Sequence, residues 1–320
     1  YKYPKQIDTV KILPVKDSPY LVPVDIKRGE TRQFWVTIHV PDDASAGLYY
    51  GRIDLKTKSR KSRSLKVRLR VLPFRLEETG MIHGIFHTTR LDVHDGIRGA
   101  GIKRDPTGFE KEYLNMLSHG VTDITVYVPL EDEKALREVL NIRDHFGLNG
   151  RPLYCGPFLL CTGNPQDEKG LAELKNKVKR LLGICREYGI PEVYVYGIDE
   201  AKGELLRSQR LAWDAVHEEG GKVWVCCFAG AFEIVGDILD MCCYIGAASK
   251  TDAKMWHSQG KQITCFGNPH TGPENPEIHR RNYGLLLWEA GYDGCFVWNL
   301  YSPCGDGWND FDSQHYRDQM

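Results

Sequence analysis

The chain predicts a (β/α)8 barrel preceded by a small antiparallel β-sandwich, and three observations carry that reading. From Met81 onward, short apolar runs alternate strictly with amphipathic helical segments. Several of those helical segments end in a Gly just before the next apolar run, as a left-handed helix C-cap requires. Before Met81 the pattern differs: short alternating runs are separated by Gly, Pro and Asp turns, with no helical period between them.

In chain order, Gln33–Val40 alternates and is followed by the turn Pro41-Asp42-Asp43-Ala44. Gly47–Leu55 is a second strand and Leu65–Leu72 a third, with Leu65, Val67, Leu69 and Val71 on one face. Such strands argue an antiparallel sandwich, although roughly 75 residues is thin for a full one. The cations from Lys56 to Arg70 read as a solvated hairpin turn with a charged outer face in preference to an anion-binding patch. The join falls near Leu76 to Gly80, dividing the chain into an accessory domain, 1–78, and a catalytic barrel, 79–320.

The eight barrel strands are expected at Met81–Phe86, Asp123–Val128, Pro152–Phe158, Glu192–Ile198, Lys222–Phe228, Cys242–Ala248, Gln262–Phe266 and Gly294–Leu300. Helices are expected at Glu110–His119, Glu133–Phe146, Leu171–Tyr188, Leu205–Glu219 and Pro276–Ala290, with capping glycines at Gly120, Gly189, Gly220, Gly260 and Gly291. Eight strands over roughly 240 residues is the rhythm of this barrel. A doubly wound open sheet would be favoured by Gly-x-Gly-x-x-Gly after the first strand, and Gly96–Gly101 lacks that spacing. After the eighth strand, Tyr301–Met320 shows no convincing helix, so the barrel is expected to be incomplete at its last helix or covered there by the sandwich.

A formal net charge of −1 gives no footprint for a nucleic acid or an anionic membrane, and no apolar run is long enough to span a bilayer. Most of the ten cysteines, Cys155, Cys226, Cys227, Cys242, Cys243, Cys265 and Cys295 among them, lie in apolar runs without zinc or Cys-x-x-Cys spacing. Buried free thiols suit a reducing compartment. The first residue is Tyr1, so an export signal removed upstream remains compatible.

In a barrel the chemistry is built just after each strand. Strand four ends in Tyr196-Gly197-Ile198-Asp199-Glu200, an acidic pair where strand propensity wants none. The next helix is expected to start near Gly203-Glu204, which leaves the pair on the strand-end turn and not at a helix cap. Strand one offers His83 and His87, strand seven Asn268, His270 and Glu274, and strand eight Trp298, Tyr301 and then Trp308. Carboxylates, aromatic platforms and hydrogen-bonding amides or imidazoles are what a sugar ring needs. Trp224, in mid-strand, serves core packing equally well, and the two histidines serve structural roles equally well. A four-residue spacing between His83 and His87 departs from the His-x-His of metal-dependent barrels, so no metal or other cofactor is expected.

The segment Tyr194-Val195-Tyr196-Gly197-Ile198-Asp199-Glu200 resembles the Asp-Glu motif of glycoside hydrolase family 123, the β-N-acetylgalactosaminidases. The likeness extends to Trp35–Gly51, to Glu274-Asn275-Pro276-Glu277 with Arg280–Gly284, and to Gly291-Tyr292-Asp293-Gly294. It implies a sandwich followed by a barrel, a carbohydrate substrate and retaining, substrate-assisted hydrolysis. Glu200 would be the general acid/base, and Asp199 would steady the substrate's 2-acetamido group. Tyr301 or Tyr244 would hold that group, and His83, Trp224, Asn268, Glu274, Trp298 and Trp308 would line the sugar site. A general acid must hold its proton near neutral pH, so an apolar or acidic enclosure around Glu200 is expected. Two other readings stay open: a retaining glycosidase with Glu274 as nucleophile, and a carbohydrate-binding protein without turnover.

Overall fold

The computed structural model describes residues 23–34, 36–57, 63–75, 79–88, 90–91, 103–104, 106–266, 277, 280–298 and 300. The chain divides into two compact units, with the division between Gly80 and Met81.

The first unit holds one antiparallel hairpin, β1 (Gly47–Leu55) and β2 (Arg63–Val71), with Gly47 opposite Val71 and Leu55 opposite Arg63. The small antiparallel sheet expected ahead of the barrel is present, and among the described residues it has two strands. The expected strand at 33–40 does not form at its described positions. Alternation makes a two-faced segment, but a strand also needs a ladder partner. Phe34, Val36, Ile38 and Val40 are exposed and join neither edge of the hairpin.

The second unit contains β3 (Ile82–Phe86), the two-residue strands β4 (Arg90–Leu91) and β5 (Lys103–Arg104), α1 (Pro106–Ser118), β6 (Asp123–Ile124), α2 (Glu133–His145), β7 (Leu153–Tyr154), α3 (Glu168–Glu187) and β8 (Val193–Tyr196). It continues with α4 (Gly203–Ser208), α5 (Arg210–Glu218), β9 (Lys222–Cys227), α6 (Phe232–Val235), β10 (Met241–Tyr244), α7 (Lys250–Ser258) and β11 (Gln262–Phe266). A π-helical turn at Arg281–Leu285 leads into α8 (Leu286–Ala290), and β12 (Gly294–Trp298) follows. Whether a last helix follows β12 concerns residues outside those described.

Eight parallel strands form one sheet in the order β6-β3-β12-β11-β10-β9-β8-β7. Its two edges meet: Val126, beyond β6, bridges Cys155, beyond β7. Val126 N donates to Tyr154 O at 3.0 Å and Gly156 N to Val126 O at 2.8 Å. The sheet is thus a closed ring, the predicted (β/α)8 barrel. The expected capping glycines carry it from helix to strand, since Gly120, Gly189, Gly220, Gly260 and Gly291 all have φ between 66° and 88°. Side chains cap the starts, Asp132 accepting from Ala135 N, Asp167 from Gly170 N and Ser249 from Thr251 N.

Aromatic rings fill the interior. Trp224 stacks on Phe86 at 5.2 Å and meets Phe296 at 4.7 Å, Tyr196 at 5.1 Å and Tyr154 at 5.4 Å. Such a filling needs relief where rings are largest. A Cβ on Gly84 would lie 2.3 Å from the Phe296 ring, and one on Gly156 would lie 2.3 Å from the Tyr127 ring. The nine described cysteines are free thiols, eight of them buried. No described helix is long and apolar enough to cross a membrane.

The opposite, N-terminal end of the barrel is held by a repeated device. Asp240, just before β10, accepts from Val223 N at 2.8 Å, from His217 Nε2 at 2.7 Å and from Lys261 Nζ at 3.1 Å. Asp293, just before β12, accepts from Ile263 N at 2.8 Å and pairs with His257 Nε2 at 3.0 Å. In each case one carboxylate ties an inter-strand corner to the last turn of a preceding helix. Burial alone would raise the Asp240 carboxyl, but the His217, Val223 and Lys261 contacts outweigh it and hold the carboxyl below its ordinary value. A depressed carboxyl contributes stability above its unfolded value and loses it as pH falls through the folded one. Asp240→Asn is therefore expected to destabilise the fold by about 1–3 kcal/mol at neutral pH. Urea unfolding should show the gap to wild type full above about pH 4 and narrowing below it. A gap that persists unchanged into acid contradicts the assignment.

Candidate active site

The exit of β8 is the centre of the candidate site, and its geometry follows from how tightly the chain is held there. Gly197 leaves the strand where no side chain has room: a Cβ would lie 3.1 Å from Val225 Cβ and 3.3 Å from both Gln209 Oε1 and Trp213 Cζ2. Three contacts then fix the turn. Gly197 N donates to Trp224 O at 3.0 Å, Ile198 N to Gln209 Oε1 at 2.6 Å and Glu200 N to Cys226 O at 3.2 Å.

Within that turn Asp199 and Glu200 are exposed, but their settings differ. The buried Tyr196 hydroxyl donates to Asp199 Oδ1 at 2.6 Å, which orients one carboxylate oxygen and leaves Oδ2 directed elsewhere. Burial first, then the nearby Cys226 and Asp199, push the Tyr196 phenol well up, so it stays a donor. Glu200 has φ 55°, making it the non-glycine residue in the left-handed region among those described. That conformation costs an L-residue roughly 1–2 kcal/mol. The position favours Gly by backbone and carries Glu instead. No cap explains the pair, because α4 begins at Gly203 after Lys202. The Lys202 ammonium lies 3.6 Å from the centroid of the Phe228 ring, at the end of β9.

Of the other expected site residues, Trp298 reaches the mouth. It is half-buried at the end of β12, and its ring lies 5.9 Å from Phe86, which in turn lies 6.1 Å from Tyr196. Trp224 does not line the mouth. It is fully buried within the barrel and spends its indole N–H on Cys155 O at 3.0 Å. His83 is in the first half of β3, on the face opposite Gly84 and so away from the barrel interior. Tyr244 points outward too, over Gly246, and lines a small cavity of about 70 Å³ with Trp256 and Asp252. These three are reassigned from sugar contact to the core and the outer layer. Asn268, Glu274, Tyr301 and Trp308 lie outside the described residues.

His87 is structural: it is buried, with Nε2 2.8 Å from Glu112 Oε2 on α1. Among the described residues no three His, Cys, Asp or Glu side chains are placed to hold a metal ion.

Residues not singled out from the sequence also belong here. Tyr127 lies beyond β6, and its phenol is pushed up by burial, then by Cys226 and Asp199. Cys161 donates to Gly197 O at 3.3 Å. Gln209, fully buried at the break between α4 and α5, holds the acidic turn from behind. Reading the exits of strands two and three would have found the first two. Nothing local in the sequence marks Gln209.

No family model and no curated protein matches the chain. Among solved structures it is similar to a candidate alpha-L-fucosidase of Bacteroides thetaiotaomicron VPI-5482, at 10% identity and TM-score 0.46, over 73% of this chain and 95% of that one. It is also similar to an endo-beta-N-acetylglucosaminidase of Cordyceps militaris, at 11% identity and TM-score 0.40, over 74% and 86% of the two chains. A third is a D-psicose 3-epimerase of Clostridium cellulolyticum H10, at 12% identity and TM-score 0.33, over 66% and 76%.

Removing the Gln209 acceptor tests the geometry without any assay of activity. Gln209→Met is expected to leave the Ile198 N–H buried without its acceptor, at a local cost of about 1–3 kcal/mol. Hydrogen exchange at Ile198 and Glu200 should speed up while Val195, in the strand itself, stays protected. Unchanged protection at both turn amides contradicts the role.

Proposed function

We propose that the chain is a glycoside hydrolase. Its substrate is an N-acetylhexosaminide, most specifically a β-N-acetylgalactosaminide, and hydrolysis is retaining and substrate-assisted. The observation that carries this reading is Glu200: a side chain kept at a backbone position suited to Gly, beside an aspartate already oriented by Tyr196.

In this mechanism Glu200 protonates the glycosidic oxygen while the substrate's 2-acetamido oxygen attacks the anomeric carbon and the bond to the leaving group breaks. Asp199 Oδ2 accepts from the acetamido N–H and stabilises the positive charge that develops on the amide. The deprotonated Glu200 then takes a proton from water, which opens the cyclic intermediate. An internal nucleophile is already in place, so the protein supplies an acid and fixed charge in preference to a second carboxylate. Trp298 offers an aromatic face for the sugar. Glu200 is exposed, not enclosed as expected from the sequence, so bound sugar, by displacing water, provides the enclosure the acid requires.

Glu200→Gln is expected to lower kcat on an aryl N-acetylhexosaminide by roughly 10²–10⁴ with an unchanged melting temperature. A thiazoline analogue of N-acetylgalactosamine should inhibit the wild type. Near-wild-type turnover by the variant removes Glu200 from the chemistry. Turnover that is lost in the variant, in an enzyme blind to the thiazoline, removes the substrate-assisted step alone.

A further inference from the structure

The hairpin in the first unit separates its side chains by charge. Because β1 and β2 pair with Tyr50 opposite Arg68, Arg52 opposite Lys66 and Leu48 opposite Arg70, these side chains share one face. Exposure agrees: Lys66, Arg68 and Arg70 are exposed, while the alternating Val67, Leu69 and Val71 are half-buried. That face carries four cations, Arg52, Lys66, Arg68 and Arg70, against the single acid Asp54.

A face that merely solvates a hairpin has no need of this arrangement. Arg52 and Lys66 are directly opposite, which is unfavourable for like charges. Arg52 is relieved by Asp54 at 3.3 Å. Among the described residues, Lys66, Arg68 and Arg70 have no ion-pair partner. Tyr50, 74% exposed, presents its ring in the middle of these charges. Successive residues on one face of a strand repeat at roughly 6.8 Å, so the cations form an extended row and not a point cluster.

We propose that this face binds an anionic glycan, an extended sugar polymer bearing carboxylate or sulfate groups. The cation row meets the acidic groups, and Tyr50 stacks against a sugar ring. A nucleic acid is the poorer occupant. Single-strand binding relies on successive aromatic platforms along a basic groove, and this face has one phenol and four cations. The choice of a glycan rests on the glycosidase reading, but binding here is independent of hydrolysis. A chain that hydrolyses and does not bind loses only this proposal; one that binds and does not hydrolyse loses only the other.

The test is calorimetric titration of the full chain at low salt with four probes of matched length. They are a sulfated glucosamine–uronate oligosaccharide, an oligogalacturonate, a neutral cello-oligosaccharide and a single-stranded oligodeoxynucleotide. At least one of the two anionic sugars should bind in a salt-sensitive manner, more tightly than the other two probes, and which one binds names the acidic group. The triple variant K66Q/R68Q/R70Q should weaken that binding by roughly tenfold or more. Its melting temperature should hold or rise, because the repulsion is gone. Should the triple variant fold poorly, Tyr50→Ser with the same probes is expected to weaken sugar binding without altering the salt dependence. Equal binding by wild type and variants overturns the proposal. So does failure of both anionic sugars to bind the wild type, or equal affinity for the oligodeoxynucleotide.

Discussion

Closure of the eight-stranded ring is the constraint on which the rest of the second unit depends. Two edges of a parallel sheet meet through Val126 and Cys155, and the space inside must then be filled. It is filled by Trp224 and the rings around it. Gly84 and Gly156 yield room exactly where Phe296 and Tyr127 need it, so ring size and glycine placement are two sides of one packing solution. Asp240 and Asp293 close the far end, each through a carboxylate that joins a strand corner to a helix.

The candidate site inherits its precision from that packing. Trp224 and Cys226 present their carbonyls to the turn after β8, and Gln209 supports it from the helix layer. The turn is thereby held by elements whose own positions the barrel sets, which is what a rigid support for reacting groups requires. A strained Glu200 persists only because its surroundings determine it so fully. Tyr196 spans both roles, packing against Trp224 while its hydroxyl orients Asp199.

Much of this was legible in the sequence, for physical reasons. Strand positions could be read because helix and strand alternate and several helix ends carry a glycine that a left-handed cap explains. The acidic turn could be read because acids are disfavoured in strands. Facing could not be read. The barrel strands are buried on both sides, so polarity does not mark which of Val193 and Tyr194, or of Val223 and Trp224, points inward. That ambiguity put Trp224, His83 and Tyr244 at the mouth, where the structure does not place them. The segment at 33–40 misled differently, since its alternation carries no information about whether a partner strand exists. Gln209 is distant in sequence and polar in an ordinary way, and only the folded contact reveals it.

In the proposed mechanism the acidic pair depends on a substrate that brings its own nucleophile. The most direct measurement is a screen of the purified chain against aryl glycosides matched in sugar and leaving group, with and without a 2-acetamido substituent. Hydrolysis confined to the 2-acetamido β-glycosides, with release of the β-anomer first, is the predicted result. Equal hydrolysis of the 2-hydroxy sugars, or release of the α-anomer first, would contradict it.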